Sequence, residues 1–137
     1  EGELKKALVR YAEQLGISEA VKFHGFSSEI HKIMAESAIY VSSSDYEGIS
    51  NSMLEALAIG IPAVCTDCPV GGARMYIRDG ENGYLIPVGD ADVMADRMLA
   101  LMEDKKLGES FSKESVKIRE ELTDDRIFGM WKALLVR

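Results

Sequence analysis

Two periods share this chain. Leu4, Ala7, Leu8, Tyr11, Ala12 and Leu15 recur on one face of a 3.6-residue repeat, which predicts a helix over 3–15 stopped by Gly16. Val21-Lys22-Phe23-His24-Gly25-Phe26 alternates instead and predicts a strand. Ser27 or Ser28 caps a second helix, with Ile30, Ile33, Met34 and Ser37 on its inner side. Ala38-Ile39-Tyr40-Val41 is a short apolar run ending at serines, the mark of a buried strand over 38–43. After a polar turn, Met53, Leu54, Leu57 and Ala58 form the stripe of an amphipathic helix capped by Ser50 or Asn51. Gly60 ends it, and residues 62–67 read as the next strand. Gly71-Gly72 opens a short helical stretch to Arg78, closed by Asp79-Gly80. Asn82-Gly83 is a turn signal ahead of a strand over 83–88. Asp90 caps a helix carrying Met94, Met98, Leu101 and Met102, and helical segments over about 107–121 and 124–136 finish the chain. Strands alternating with helices predict an α/β fold with a parallel sheet.

Composition narrows the class. With 137 residues, 47% of them hydrophobic and 28% charged, the chain fits one globular domain over 1–137 with a sizeable core. A net charge of −7 argues against nucleic acid as a partner. No apolar run approaches the roughly twenty residues a spanning helix needs. Two cysteines are too few for a disulfide scaffold and fit a cytoplasmic setting. The first residue is Glu rather than Met, so the expectation is a piece of a longer protein.

Chemistry concentrates between Ser42 and Leu57. A strand running into a Gly-containing turn and a helix N-terminus can hold an anion on its free N–H groups. Glu47 precedes the helix and Glu55 lies inside it, eight residues on. Glutamate near a helix N-terminus commonly does no more than complement the macrodipole. Two strong acceptors beside an anion-binding turn also suit the hydroxyls of a ribose and a sugar, with phosphates between them.

Glu47-Gly48-Ile49-Ser50-Asn51 through Glu55-Ala56-Leu57, followed by Gly60-Ile61-Pro62-Ala63-Val64, resembles the E-x7-E signature of retaining glycosyltransferases of the GT-B fold, the nucleotide-sugar-dependent group called family four. Leu15-Gly16-Ile17 with residues 21–26, Gly71-Gly72, Asp79-Gly80, Asn82-Gly83 and Asp90 fall in the order of that family's other landmarks. The resemblance covers about residues 2–103 and implies part of a C-terminal donor-binding domain: a partial Rossmann-like, doubly wound parallel sheet of about four strands flanked by helices.

The resemblance also implies roles. Glu55 would accept from the ribose hydroxyls of the donor and Glu47 from the transferred sugar. Backbone N–H groups of Gly48, Ile49, Ser50 and Asn51 would face the distal phosphate, with Gly48 permitting close approach or an unusual dihedral. Gly25, Phe26 and Ile30 would border the base. The donor would be a nucleotide sugar, a UDP-sugar by the details of 47–51, with no metal. A sugar or lipid-linked acceptor would be held by an upstream N-terminal domain, on the cytoplasmic side and peripheral to the inner membrane through that domain. Two features depart from the pattern. Many members carry an acid shortly after the Gly-Gly pair, where this chain has Ala73-Arg74-Met75-Tyr76. The family's phosphate-binding Arg and Lys belong to earlier strands, so this stretch alone is expected to be inactive. Those earlier strands would stand between 21–26 and 38–43, separating them by about 14 Å at ~4.8 Å per step. Strand 21–26 is therefore expected to move in beside 38–43 or to be covered by a second copy, self-association through exposed sheet edges being favoured.

Other chemistry is thinner. Cys65-Thr66-Asp67-Cys68 has no second pair for zinc, and extended backbone puts those Cα atoms about 10 Å apart, beyond disulfide reach. Asp90-Ala91-Asp92 sits at a helix start, where capping suffices. His24 and His31 have no nucleophile at a telling spacing. Two further classes compete with the transferase reading: a nucleotide-binding α/β module without chemistry, and an interaction domain using Phe128, Met130, Trp131 and Leu135. Nucleotide binding lost in Glu55→Ala separates the first two from the third, and turnover separates them from each other.

Overall fold

The computed structural model describes residues 2–136, which divide into two compact units, Glu1–Ile30 and His31–Arg137. In the first, helix α1 (Lys5–Gln14) buries Ala12 and closes against Gly16, whose φ of 68° lies in the left-handed region. A single 3-10 turn follows at Ser18–Ala20. Residues 21–26 are not a strand: they run without regular secondary structure, with Val21 and Phe23 exposed. Alternation describes any half-exposed extended segment, and a strand requires a neighbour to share its ladder. None of the described residues provides one, so 21–26 neither joins 38–43 nor makes a fourth strand.

The second unit follows the predicted alternation. Helix α2 (Ile30–Ala35) starts at the boundary between units and precedes β1 (Tyr40–Ser42), α3 (Asn51–Ile59), β2 (Ala63–Thr66) and β3 (Gly83–Ile86). After these come α4 (Ala91–Glu103), α5 (Lys105–Ser115), α6 (Ile118–Glu121) and α7 (Asp124–Leu135). The three strands form one sheet in the order β1-β2-β3, parallel throughout. Tyr40 pairs with Ala63 and Ser42 with Cys65, while Ala63 pairs with Gly83 and Thr66 with Ile86.

β2 is the middle strand and every residue of it is buried. Its odd positions, Ala63 and Cys65, pack with Met53, Leu57, Ile77 and Ile118 under α3 and α6. Val64 faces the other way and joins Ile86, Leu101 and Phe111 under α4 and α5. Period-two alternation inside one strand thus fills both cores of a three-layer sandwich. Phe111 meets Tyr84 with ring centroids 5.2 Å apart, and its burial is worth roughly 2–3 kcal/mol. The 107–121 segment is two helices, because Val116 and Lys117 turn the chain between α5 and α6. That turn lets Arg119 donate to the Ala58 carbonyl at the C-terminal end of α3.

Both edges of β3 are occupied. β2 takes one, and on the other the Asp79 carboxylate accepts from Leu85 N–H at 2.9 Å while Gly80 N–H donates to the Gly83 carbonyl. β1 has no strand on its outer side among the described residues. The D-G-x-N-G turn is held by Asn82, whose side chain accepts from Arg78 N–H at 2.8 Å and donates to the Tyr76 carbonyl at 3.0 Å. Lys117 hydrogen-bonds the Glu114 carboxylate and, with Arg78 nearby, holds it below the usual carboxylate range.

Candidate functional site

The site grows from the carboxyl ends of β1 and β2, where parallel α/β sheets present their loops. Leaving β1, the chain is tied down by Thr66, whose hydroxyl donates to the Ser44 carbonyl. It then runs alongside the loop after β2: Glu47 N–H donates to Pro69 O at 2.9 Å, and Val70 N–H donates to Glu47 O at 3.1 Å. Both bonds use the Glu47 main chain. Its carboxylate stays at the exposed rim.

Ser50 starts α3. Its φ and ψ of −76° and 119° are extended, and its hydroxyl accepts from Met53 N–H at 3.4 Å. Ser50 is therefore the N-cap, and Asn51 is the first helical residue. Ser52 adds a small network, its hydroxyl 3.0 Å from that of Ser50 and 2.8 Å from the Tyr40 phenol. Among the described residues, no protein acceptor meets the backbone N–H of Gly48, Ile49, Ser50, Asn51 or Ser52. A run of free donors at the positive end of a nine-residue helix, on a solvent-exposed turn, is suited to an anion.

Gly72 supports this turn from behind. A Cβ there would fall on the Gly48 carbonyl and lie 2.7 Å from Ile49 N, so only glycine allows the two backbones to meet. The unusual dihedral expected at Gly48 is absent, while the close approach expected there concerns a bound phosphate. The φ of Gly48 is not positive, and a Cβ there would meet nothing in the protein. The left-handed dihedral belongs to Gly71, at 88°, and the close approach within the protein to Gly72.

Glu55 lies off the buried stripe of Met53, Ala56 and Leu57, which keeps its carboxylate part-exposed. One oxygen is 3.3 Å from His31 Nε2 on α2. The sequence holds no local signal for that pairing. Pro69, Val70, Tyr40 and Ser52 were missed for the same reason, since their partners are distant in the chain. Gly25, with φ 66°, the fully exposed Phe26, and Ile30 all belong to the first unit. The turn thus gathers Glu47, Gly48, Ile49, Ser50 and Asn51, with Glu55 on the helix they lead into.

Neighbouring chemistry is structural. Arg74 follows the glycine pair and donates from Nε and Nη2, one edge of its guanidinium, to the two Asp67 carboxylate oxygens at 2.8 and 2.5 Å, which stabilises its charged form. Cys65 is a buried free thiol, pushed up to about 12 by loss of solvation, and is inert as a nucleophile. A crevice between the turn and β2, lined by Ser42, Glu47, Gly48 and Thr66, has a volume of about 10 Å³ and admits one water at most. The free N–H groups of the turn are therefore reached from its outer surface and not through this crevice. A groove of about 710 Å³ lies at the opposite end of the strands beside Gly60, Pro62 and Ser112. Lys105, Glu109, Ser112 and Lys113 line it, but it lies away from the free N–H groups that open α3, so the turn is the better candidate.

Residues 1–117 match the family described as glycosyl transferases group 1. The chain belongs to that family. The matched span contains the whole strand–turn–helix and ends just before α6. This glycosyl transferase chain is 34% identical, over 90% of its length, to the N-acetylgalactosamine-N,N'-diacetylbacillosaminyl-diphospho-undecaprenol 4-alpha-N-acetylgalactosaminyltransferase of Campylobacter jejuni. It is 31% identical over 96% of its length to the poly(ribitol-phosphate) alpha-N-acetylglucosaminyltransferase of Staphylococcus aureus. It spans only 33% and 27% of those two proteins, about a third or less. The crystal structure of TarM superposes with a TM-score of 0.89 at 30% identity, over 98% of this chain and 27% of TarM. Anabaena HepE in complex with UDP gives 0.85 at 25% identity, over 96% of this chain and 36% of HepE. The α/β fold with its parallel sheet is therefore that of glycosyltransferase domains.

Proposed function

We propose that this chain is the donor-binding part of a retaining, E-x7-E glycosyltransferase that builds cell-surface polysaccharide or a related glycoconjugate. The observation that carries the reading is the run of free N–H groups from Gly48 to Ser52, flanked by Glu47 and Glu55 on the same strand–turn–helix. In this reading the N–H groups take the distal phosphate of a nucleotide sugar. Glu55 accepts from the ribose diol, and Glu47 from hydroxyls of the transferred sugar.

The chemistry is charge stabilisation. As the glycosidic bond to the nucleotide breaks, negative charge develops on the departing diphosphate, and donors already in place need no reorganisation to meet it. The helix dipole has the correct sign. No metal is asked for. UDP is the favoured nucleotide, supported by the UDP in the complexes of HepE and of a Staphylococcus aureus TarM variant. A sugar or lipid-linked acceptor is left to a separate acceptor domain on the cytoplasmic face. Among the described residues, no helix is long and apolar enough to cross a membrane.

Calorimetry with UDP tests the assignment. Glu55→Ala removes a charged acceptor, and affinity should fall by about 1.5–3 kcal/mol, or about 10- to 150-fold. Glu55→Gln keeps one carbonyl acceptor and should lose less. Equal affinities for the wild type and Glu55→Ala would remove Glu55 from the site.

A further inference from the structure

We infer that His31 is a positioning residue for Glu55 and makes donor binding pH-dependent. The inference rests on the reading of Glu55 as the ribose acceptor. It starts from the packing of α2. Met34 is buried with Ala56 and Ile61, and the partly buried Tyr40 packs on that cluster. Residues three apart share a helix face, so anchoring Met34 on Ala56 turns His31 toward the residue beside Ala56, which is Glu55. The resulting separation is 3.3 Å, from Nε2 to one carboxylate oxygen.

A carboxylate has about four acceptor positions, and a ribose diol requires two. His31 approaches a single oxygen, at 3.3 Å, and leaves the other oxygen open. A glutamate side chain freezes several rotors when it engages a ligand, and a partner that has already oriented it lowers that cost. Imidazole is also the one side chain that normally gains a charge between about pH 8 and 5, while carboxylates there remain ionised. Protonation turns the contact into a charge-assisted one and sets a cation beside the anionic donor. Along α2, α3 and β1 the other ionisable side chains are Lys32 and Tyr40, the latter's phenol engaged with Ser52. His31 and Glu55 side chains are 68% and 43% exposed, so the pair adds little to folding and its variants should remain folded.

The test is an NMR-monitored titration of the full chain with UDP-glucose at pH 5.5 and pH 8. UDP-glucose is chosen because it lacks the terminal phosphate whose second ionisation, near about pH 6, would mask the effect. Wild-type affinity should be about threefold higher at pH 5.5, and by linkage the sugar nucleotide should raise the titration midpoint of the His31 ring protons. His31→Ala should bind about three- to tenfold more weakly at pH 5.5 and lose the pH dependence. His31→Gln keeps an N–H donor, so it should regain most of the pH 8 affinity while remaining insensitive to pH. If Glu55→Ala weakens binding but His31→Ala matches wild type at both pH values, the positioning role is overturned and the donor site survives. If wild type and Glu55→Ala bind alike, or neither binds, the donor reading falls and the role of His31 with it.

Discussion

Gly72→Ala is expected to damage both stability and ligand binding, although Gly72 itself carries no functional group. Its Cβ would sit on the Gly48 carbonyl, which is main chain and cannot swing away as a side-chain tip would. Either the loop after β2 or the turn before α3 must move. Forced overpacking of this kind costs about 1–3 kcal/mol. The turn is pinned at Glu47 by Pro69 and Val70, so displacement is focused on Gly48–Ile49, where the free N–H groups begin. UDP affinity should fall more than tenfold, in keeping with lost charge-assisted bonds. Gly71→Ala is the control. That residue has φ 88° but open space at its Cβ position, so alanine costs roughly 1–2 kcal/mol of dihedral strain without pushing the turn. Thermal melts and calorimetry should therefore show both variants destabilised and only Gly72→Ala defective in binding. Wild-type affinity in Gly72→Ala would refute the backbone-on-backbone support.

The second large effect is expected at Asn82 and should spare the site. This side chain is 2% exposed and satisfies two backbone groups, Arg78 N–H and the Tyr76 carbonyl. Its own carbonyl accepts from the buried Ser115 hydroxyl, which joins the turn to α5. Asn82→Ala strands both groups, and as each is only part-buried, at about 1–2 kcal/mol apiece the loss should be about 2–4 kcal/mol. For a chain of this size that lowers Tm by roughly 6–16 °C. UDP affinity at low temperature should stay within about twofold of wild type, because the Asn82 turn is at the amino end of β3 while the turn that opens α3 lies at the carboxyl end of β1. A loss below about 0.5 kcal/mol would mean that water replaces the amide at no cost.

These two residues show where the sequence was legible. Asn82-Gly83 and Gly71-Gly72 stand out as turn punctuation, but the Gly72 contact with Gly48 and the Asn82 contact with Ser115 join parts distant in the chain. The strand–turn–helix of 40–59 was readable because its signals are local: a β-rich run, a serine cap, and an apolar stripe at helical spacing. Ser50 satisfies its own helix within three residues. His31 and Glu55 are 24 residues apart and on different helices, so no periodicity links them. The segment 21–26 fails for another reason. Its alternation is correct for a strand, yet strands exist by pairing, and pairing is a property of the sheet. The α5–α6 break was hidden because the apolar stripe carries on through Val116 and Ile118. The exposed strip of Phe128, Met130, Trp131 and Leu135 on α7 was readable from spacing alone, and all four are exposed.

The central claim is that the turn opening α3 receives the phosphates of a nucleotide sugar on its backbone. Amide NMR of the chain during addition of UDP-glucose tests it most directly. The account predicts that the largest shifts fall on the N–H groups of Gly48, Ile49, Ser50, Asn51 and Ser52, with a smaller response at His31 and Glu55. Those shifts should fade in Glu55→Ala at equal ligand concentration. Saturable shifts confined to the groove beside Gly60 and Ser112, with the 48–52 amides unmoved, would contradict it.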